Sequence, residues 1–259
     1  YMGKINNKYN YKRFKKNSPL MIFIHGAGCD QTFWSLLNRY YFFRGFSTLA
    51  INLPGHGDNN EKGLATIDDM AKYVGTIVKK HTSRENILVG HSMGSLVCLS
   101  ALLKKLFEVN KVILIGVAFP MLVSSSLLSL SKKSSKDAII NMINWSLPSE
   151  SKLRGNHLIG INLPNFIYTL MNKTSDNNLF NDLNACNKYF IEEQKLNNID
   201  TSCLIISGKK DIMTPFKSSY NLSKLLKNSN IETIDNCGHF HIHEKSSEVR
   251  RLISKYIEN

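Results

Sequence analysis

The sequence predicts an α/β fold, a mostly parallel sheet flanked by helices with a helical lid inserted into it. Three observations lead there. Short apolar runs alternate with stretches of helical period in both the first and last parts of the chain. The runs are apolar without alternation, as in strands covered on both faces of a parallel sheet. One connection, of about 85 residues between Gly116 and Ser202, is far longer than the dozen or so residues plus a helix that a crossover requires.

The elements follow in order. Ile5, Tyr9, Tyr11 and Phe14 between polar residues predict an antiparallel hairpin at the sheet edge over residues 2–15. Strands are predicted at 21–24, 47–53, 86–89, 112–115, 203–206 and 231–234, and each runs into a glycine-containing loop. Helices are predicted at 66–81, 93–107, 217–227 and 244–257, the last with Val249, Leu252, Ile253, Tyr256 and Ile257 at helical spacing. Strand–helix–strand order of this kind gives right-handed crossovers around one parallel sheet. The long connection carries Leu127, Leu128, Ile139, Met142, Trp145, Ile167 and Leu170, with helical periods at 137–145 and 165–172. A structureless loop of that length is disfavoured. The chain therefore divides into a core, 1–117 and 200–259, and a helical lid, 118–199.

Composition narrows the class. The chain has 259 residues, 42% hydrophobic and 20% charged, which suits one large core and excludes disorder or a collagen-like repeat. Five scattered cysteines without a CxxC pair argue against a disulfide scaffold, a zinc ribbon or a redox pair, and for a reducing compartment. The net charge is +13, of which +6 lies in residues 1–16 and +1 in 118–200. The charge reads as a solvated face of a Lys- and Asn-rich chain, and no nucleic-acid partner is expected. The basic stretch before residues 20–24 is followed by an apolar run too short for a signal peptide. Residues 112–131 carry no charge, but Gly116, Pro120 and several serines dilute them, and they begin as a buried strand rather than a membrane span. The expected location is the cytoplasm, with no stable membrane association.

Chemistry concentrates at the ends of the strands. Gly90-His91-Ser92-Met93-Gly94 lies between a strand and a helix. There a G-x-S-x-G motif has physical meaning, because the glycines permit a turn that lifts the serine hydroxyl clear of the sheet. A serine hydroxyl needs a base near neutral pH. His239, after the strand at 231–234, and Asp211, after the strand at 203–206, sit where parallel-sheet sites lie. In that reading His239 takes and returns the proton, while Asp211 fixes its tautomer and stabilises the imidazolium. The loop after 112–115 has no acid before Asp137, so Asp211 has no rival there. His25-Gly26-Ala27-Gly28 follows the first parallel strand. The N–H of Ala27, with that of Met93, is expected to form an oxyanion hole, Gly28 being the next candidate. Gly28, His91 and Trp145 are expected to touch substrate.

Other signals carry less. His239, His241 and His243 alternate, but in a loop entering a helix they would not share a face, so no metal is expected. There is no P-loop and no complete GxGxxG, so no nucleotide cofactor is expected either. Cys29 and Cys237 read as small buried side chains near the pocket. His56, His81 and His157 read as structural or solvated.

With these motifs in order, the chain resembles the α/β-hydrolase superfamily, of the lidded esterase and lactonase kind. The resemblance spans nearly the whole length. It rests on His25-Gly26-Ala27-Gly28, Leu53-Pro54-Gly55-His56-Gly57, Gly90-His91-Ser92-Met93-Gly94, Gly208-Lys209-Lys210-Asp211 and Gly238-His239. Asn52 stands where many relatives carry Asp, and Asp58 where a small residue is common. The resemblance implies a serine hydrolase that cleaves carboxylic esters of small to medium hydrophobic groups through an acyl-enzyme, without a cofactor. A thioesterase, a lactonase, or an acyltransferase or perhydrolase would use the same triad. A coenzyme A thioester would ask for a basic rim, for which Lys132, Lys133 and Lys136 are the candidates. A non-catalytic ligand-binding protein of this fold is the reading from another class. Haloalkane dehalogenase and epoxide hydrolase chemistry are disfavoured, because both need a carboxylate at position 92.

Overall fold

A computed structural model of the chain describes residues 2–81, 83, 85–153, 162–174 and 177–258. The chain begins with a hairpin, β1 (Met2–Ile5) and β2 (Tyr9–Arg13), followed by β3 (Leu20–Ile24), α1 (Ser35–Phe43) and β4 (Ser47–Ile51). Next come α2 (Ile67–Val78), β5 (Asn86–His91), α3 (Met93–Leu103) and β6 (Lys111–Ile115). Between β6 and the next strand the described residues form α4 (Ser125–Lys133), α5 (Ser135–Ser146), α6 (Ser149–Leu153), α7 (Leu163–Met171), α8 (Asn178–Lys188) and α9 (Glu193–Asn197). The chain closes with β7 (Ser202–Gly208), α10 (Phe216–Leu225), β8 (Ser229–Ile234), α11 (His241–Glu244) and α12 (Ser246–Glu258).

All eight strands form one sheet in the order β1-β2-β4-β3-β5-β6-β7-β8. The hairpin and its junction with β4 are antiparallel, and every pairing from β4 to β8 is parallel. The inner strands are buried on both faces, as their unbroken apolar runs require. Strand β8 departs from that expectation. Its sequence Ile231-Glu232-Thr233-Ile234 carries two polar residues in the middle, and as an edge strand it is largely half-buried.

Local chemistry sets the helix limits. Thr66 caps α2 by accepting the Asp69 N–H (3.1 Å), and Asp68 and Asp69 complement the helix dipole in the first turn. Helix α3 is apolar around its whole circumference and buried, with a sheet on one side and α2 on another. It stops four residues before the predicted 107. Lys105 takes a left-handed φ of 47°, and Leu106 N–H and Lys105 N–H close back on Ala101 O and Leu102 O. Helix α1 went unread in the sequence, because its apolar residues form no clean stripe and Phe43 faces solvent. The helix predicted at 244–257 is α12, which starts at Ser246; Glu244 instead ends the short α11, and its carboxylate accepts the N–H groups of Gly238 and Phe240. Ser124, Ser134 and Asn162 cap α4, α5 and α7, and the helical periods predicted at 137–145 and 165–172 coincide with α5 and α7. Among the described residues no helix is long and apolar enough to cross a membrane. His157 lies outside the described residues.

Candidate active site

Ser92 stands between β5 and α3 at φ 52°, ψ −120°, a backbone region that serine rarely occupies. Two hydrogen bonds hold it there: its N–H donates to Ile115 O (2.9 Å), and its carbonyl accepts the Ser95 N–H (2.8 Å). The flanking glycines are a steric requirement. A β-carbon at Gly90 would lie 2.5 Å from Gly94 O, and one at Gly94 would lie 2.2 Å from Ile24 O. The strand, the turn and the helix therefore touch backbone to backbone.

Asp211 follows β7 and is buried with all its acceptor capacity in use. Oδ1 accepts the N–H groups of Met213 and Thr214, both at 2.9 Å. Oδ2 accepts the Thr214 hydroxyl (2.6 Å) and the His239 Nδ1–H (2.8 Å). Burial alone would raise this carboxyl. The neighbouring His239, His241 and Thr214 outweigh it and hold Asp211 well below the usual carboxylate range. With Nδ1 committed to Asp211, His239 has Nε2 left to serve as a base. The His239 main chain is pinned as well. Its N–H donates to Ser146 O (2.8 Å), and its carbonyl accepts His91 Nε2–H (2.8 Å) and His241 Nδ1–H (2.7 Å). Glu244 grips the loop on either side, accepting Gly238 N–H (2.9 Å) and Phe240 N–H (3.0 Å).

Buried histidines carry much of the framework. His25 accepts the Leu53 N–H at Nε2 (3.2 Å), so its proton sits on Nδ1 and reaches Gly26 O (2.9 Å). Burial, with help from His56, holds it well below the ordinary histidine value. Burial likewise lowers His91, aided by His239 and His241. It lowers His241 and His243 to about 4. His56 goes the other way. Burial would lower it, but the Asp182 carboxylate, 2.7 Å from Nε2, outweighs that and raises it.

Ser92, Thr214 and His239 open on a cavity of about 460 Å³. Ala27, Cys29 and His91 line it from the sheet side; Met121, Leu127, Met142, Trp145, Met171, Leu183 and Cys186 line it from the segment between β6 and β7. Among the described residues no Lys, Arg, Asp or Glu lines it. The cavity thus brings together Ser92, His239, Ala27, His91 and Trp145. Met93 is buried as the first residue of α3, and the first N–H groups of a helix have no partner within it. Gly28 departs from its expected role. It does not line the cavity, and its N–H is taken by Asp182 Oδ2 at 2.9 Å, so it cannot serve an oxyanion or a substrate. Cys29 lines the cavity and Cys237 does not. All five cysteines are free and buried. Burial raises the Cys29 and Cys186 thiols, and Asp182 adds to it, so neither is a thiolate rival to Ser92 near neutral pH. Lys132, Lys133 and Lys136 do not line the cavity. Among the described residues no group of three His, Cys, Asp or Glu side chains could hold a metal ion.

A larger groove of about 940 Å³ lies at the other end of the sheet, against Glu108 and Val109 before β6 and Asp200 and Thr201 before β7. Sites of parallel sheets form at the carboxyl ends of strands, which favours the smaller cavity.

A family model described as the alpha/beta hydrolase fold matches residues 19–246. The chain belongs to the α/β-hydrolase fold family. It is 27% identical over 237 residues to a Mycoplasma genitalium protein carrying the name Putative esterase/lipase 2, covering 87% of this chain and 84% of that one. Among solved structures, an esterase from Exiguobacterium antarcticum superposes with a TM-score of 0.83 at 16% identity, covering 97% of this chain and 96% of that one. An enol-lactonase from Burkholderia xenovorans superposes with a TM-score of 0.84 at 15% identity, with the same coverage. For this α/β-hydrolase chain, the structural likenesses establish the fold.

Reasoning from sequence missed four polar residues of the site. Thr214 lies three positions after Asp211, a spacing that could have drawn notice. Glu244 was read as the start of a helix, although its position six residues after Gly238 lets it reach back. His56 was left as structural or solvated, and Asp182 was not singled out. Their pairing spans 126 residues and leaves no local signal.

Proposed function

We propose that this α/β-hydrolase chain is a serine hydrolase that cleaves carboxylic esters with small to medium hydrophobic acyl or alcohol groups. The observation that carries the reading is the strained Ser92 turn opening on the same cavity as His239, which Asp211 holds at Nδ1. In this reading Ser92 Oγ attacks the acyl carbonyl as His239 Nε2 takes its proton. The carbonyl oxygen turns toward the N–H groups of Ala27 and Met93. The alkoxide leaves with the proton from His239, and water then repeats the sequence to free the acid. Residues 118–199 act as the lid that shapes the pocket.

The esterase/lipase name of the Mycoplasma genitalium relative agrees with an ester substrate. So does the lining. Among the described residues its wall offers no cation to the phosphates of a coenzyme A ester, and burying a charge unpaired is costly. Each added methylene contributes roughly 0.8 kcal/mol on burial, or about fourfold in affinity. Hydrolysis of p-nitrophenyl esters from acetate to dodecanoate by wild type and Ser92→Ala tests the reading. Turnover that rises with chain length to an optimum, and that falls by about four orders of magnitude in Ser92→Ala, supports it. Absence of turnover on every ester sinks it and moves thioesters, lactones and simple ligand binding forward.

A further inference from the structure

Between Gly26 and Cys29 the chain makes a tight turn, closed by Cys29 N–H on Gly26 O at 3.1 Å. Ala27 and Gly28 are its central residues, and Gly28 has a φ of 68°. The helical segment between β6 and β7 holds Gly28 from two directions. Its N–H donates to Asp182 Oδ2 in α8 (2.9 Å), and its carbonyl accepts the Thr174 hydroxyl just after α7 (2.6 Å). The peptide plane joining Ala27 to Gly28 has two orientations half a turn apart, and only one presents the N–H to Asp182. These two bonds therefore fix the backbone beside Ala27.

Asp182 is an expensive way to hold a loop. It is fully buried, and among the described residues its Oδ1 has no hydrogen-bond partner. An unsatisfied buried carboxylate oxygen costs stability and calls for an explanation. Its Oδ2 also accepts His56 Nε2–H at 2.7 Å, and His56 Nδ1–H donates onward to Pro54 O at 3.1 Å. One carboxylate in α8 thus ties together the loops that follow β3 and β4. A packed apolar side chain could seat α8 on the sheet, but it could not orient a peptide N–H.

We propose that Asp182 is a positioning residue for the oxyanion hole, acting through Gly28 on the direction of the Ala27 N–H, with Thr174 holding the same residue from its carbonyl side. The inference rests on the serine-hydrolase reading above. It makes α8 part of the catalytic framework, although Asp182 touches no substrate.

The test compares ground-state and tetrahedral binding. The probe is 1,1,1-trifluorodecan-2-one. The Ser92 hydroxyl adds to its carbonyl carbon while the proton passes to His239, and the resulting oxyanion needs the same donors as the transition state. In Asp182→Ala, the inhibition constant of the ketone is expected to rise and kcat on p-nitrophenyl hexanoate to fall, each by about tenfold to a hundredfold. KM is expected to change less than about threefold, since the apolar walls stay in place. Asp182→Asn keeps an oxygen for the Gly28 N–H and is expected to recover to within about threefold of wild type in ketone affinity. If Asp182→Ala does not fold, Thr174→Val decides: a ketone inhibition constant at least about threefold higher at unchanged KM supports the proposal. Ketone affinity unchanged in whichever folded variant is measured overturns it, as does a loss confined to KM. Should Ser92→Ala hydrolyse the ester as well as wild type, the hydrolase reading itself fails. Should hydrolysis need Ser92 while ketone affinity ignores Asp182 and Thr174, this inference alone fails.

Discussion

On one wall of the 460 Å³ cavity stand Ser92, Thr214 and His239, each in the loop or turn that leaves a parallel strand. On the other stand Leu127 of α4, Met142 and Trp145 of α5, Met171 of α7 and Leu183 of α8. The first wall is fixed by backbone contacts. Ser92 cannot move without Ile24, Gly94 and Ile115, and His239 is held at its N–H, its carbonyl and its Nδ1. The second wall is filled with flexible apolar side chains, three of them methionine once Met121 is counted, which accommodate change by repacking. Geometry is the demand on one side and volume on the other, so equal substitutions should have unequal effects.

The largest expected effect is chemical. Ser92→Ala and His239→Ala should each lower kcat/KM for p-nitrophenyl hexanoate by roughly 10⁴-fold, with the fold retained by circular dichroism. A variant that keeps a tenth of the activity would remove the first wall's special status. Next comes the backbone contact. Gly94→Ala drives a β-carbon to 2.2 Å from Ile24 O and 2.7 Å from His25 O. It should cost more than about 3 kcal/mol in urea unfolding or prevent folding, whereas Met142→Leu on the second wall should cost less than about 1.5 kcal/mol.

The first wall also carries an acid weakness. His241 and His243 are buried, with values near 4 against an ordinary 6.5. The unfolded chain therefore takes up protons from about pH 6.5 downward while the folded chain does so only near 4. Stability contributed by their neutral forms is full above 6.5 and is lost as the pH falls to 4, on the order of 3 kcal/mol for each at most. Asp211, held low, loses its contribution as the pH falls through the carboxylate range, in the same direction. His56 opposes them, since its raised value favours the folded state at low pH. The melting temperature should drop steeply between pH 6.5 and 4. A flat profile would mean that these rings reach water.

The smallest expected effect lies on the second wall. Trp145 is partly exposed at the cavity. Trp145→Ala should lower kcat/KM on octanoate esters by about threefold to tenfold, mostly through KM, and leave acetate esters within about twofold. Equal losses on both would place Trp145 with the chemistry rather than with the volume.

Much of this molecule was legible in the chain. Wholly apolar runs such as Leu20–Ile24 must be covered on both faces, and the glycines around Ser92 have no other use at a strand-to-helix turn. Those are local constraints, and local constraints are written in sequence. The helical stretches of the long connection were legible for the same reason, from periodicity. The partners of Asp182 were not legible. An aspartate in a polar helix turn looks like any solvated carboxylate until α8 is seated against the loops that contain Gly28 and His56. The role expected for Gly28 failed on that contact, because whether a loop N–H is free depends on what packs over it. The sequence by itself determined the parallel sheet, the serine turn and the order of Ser92, Asp211 and His239, since steric fit within a few residues decides each. Only the tertiary structure decided which loop N–H is already taken, which histidines burial holds below their ordinary value and which carboxylate holds the loops. Those outcomes depend on desolvation and on partners more than a hundred residues away.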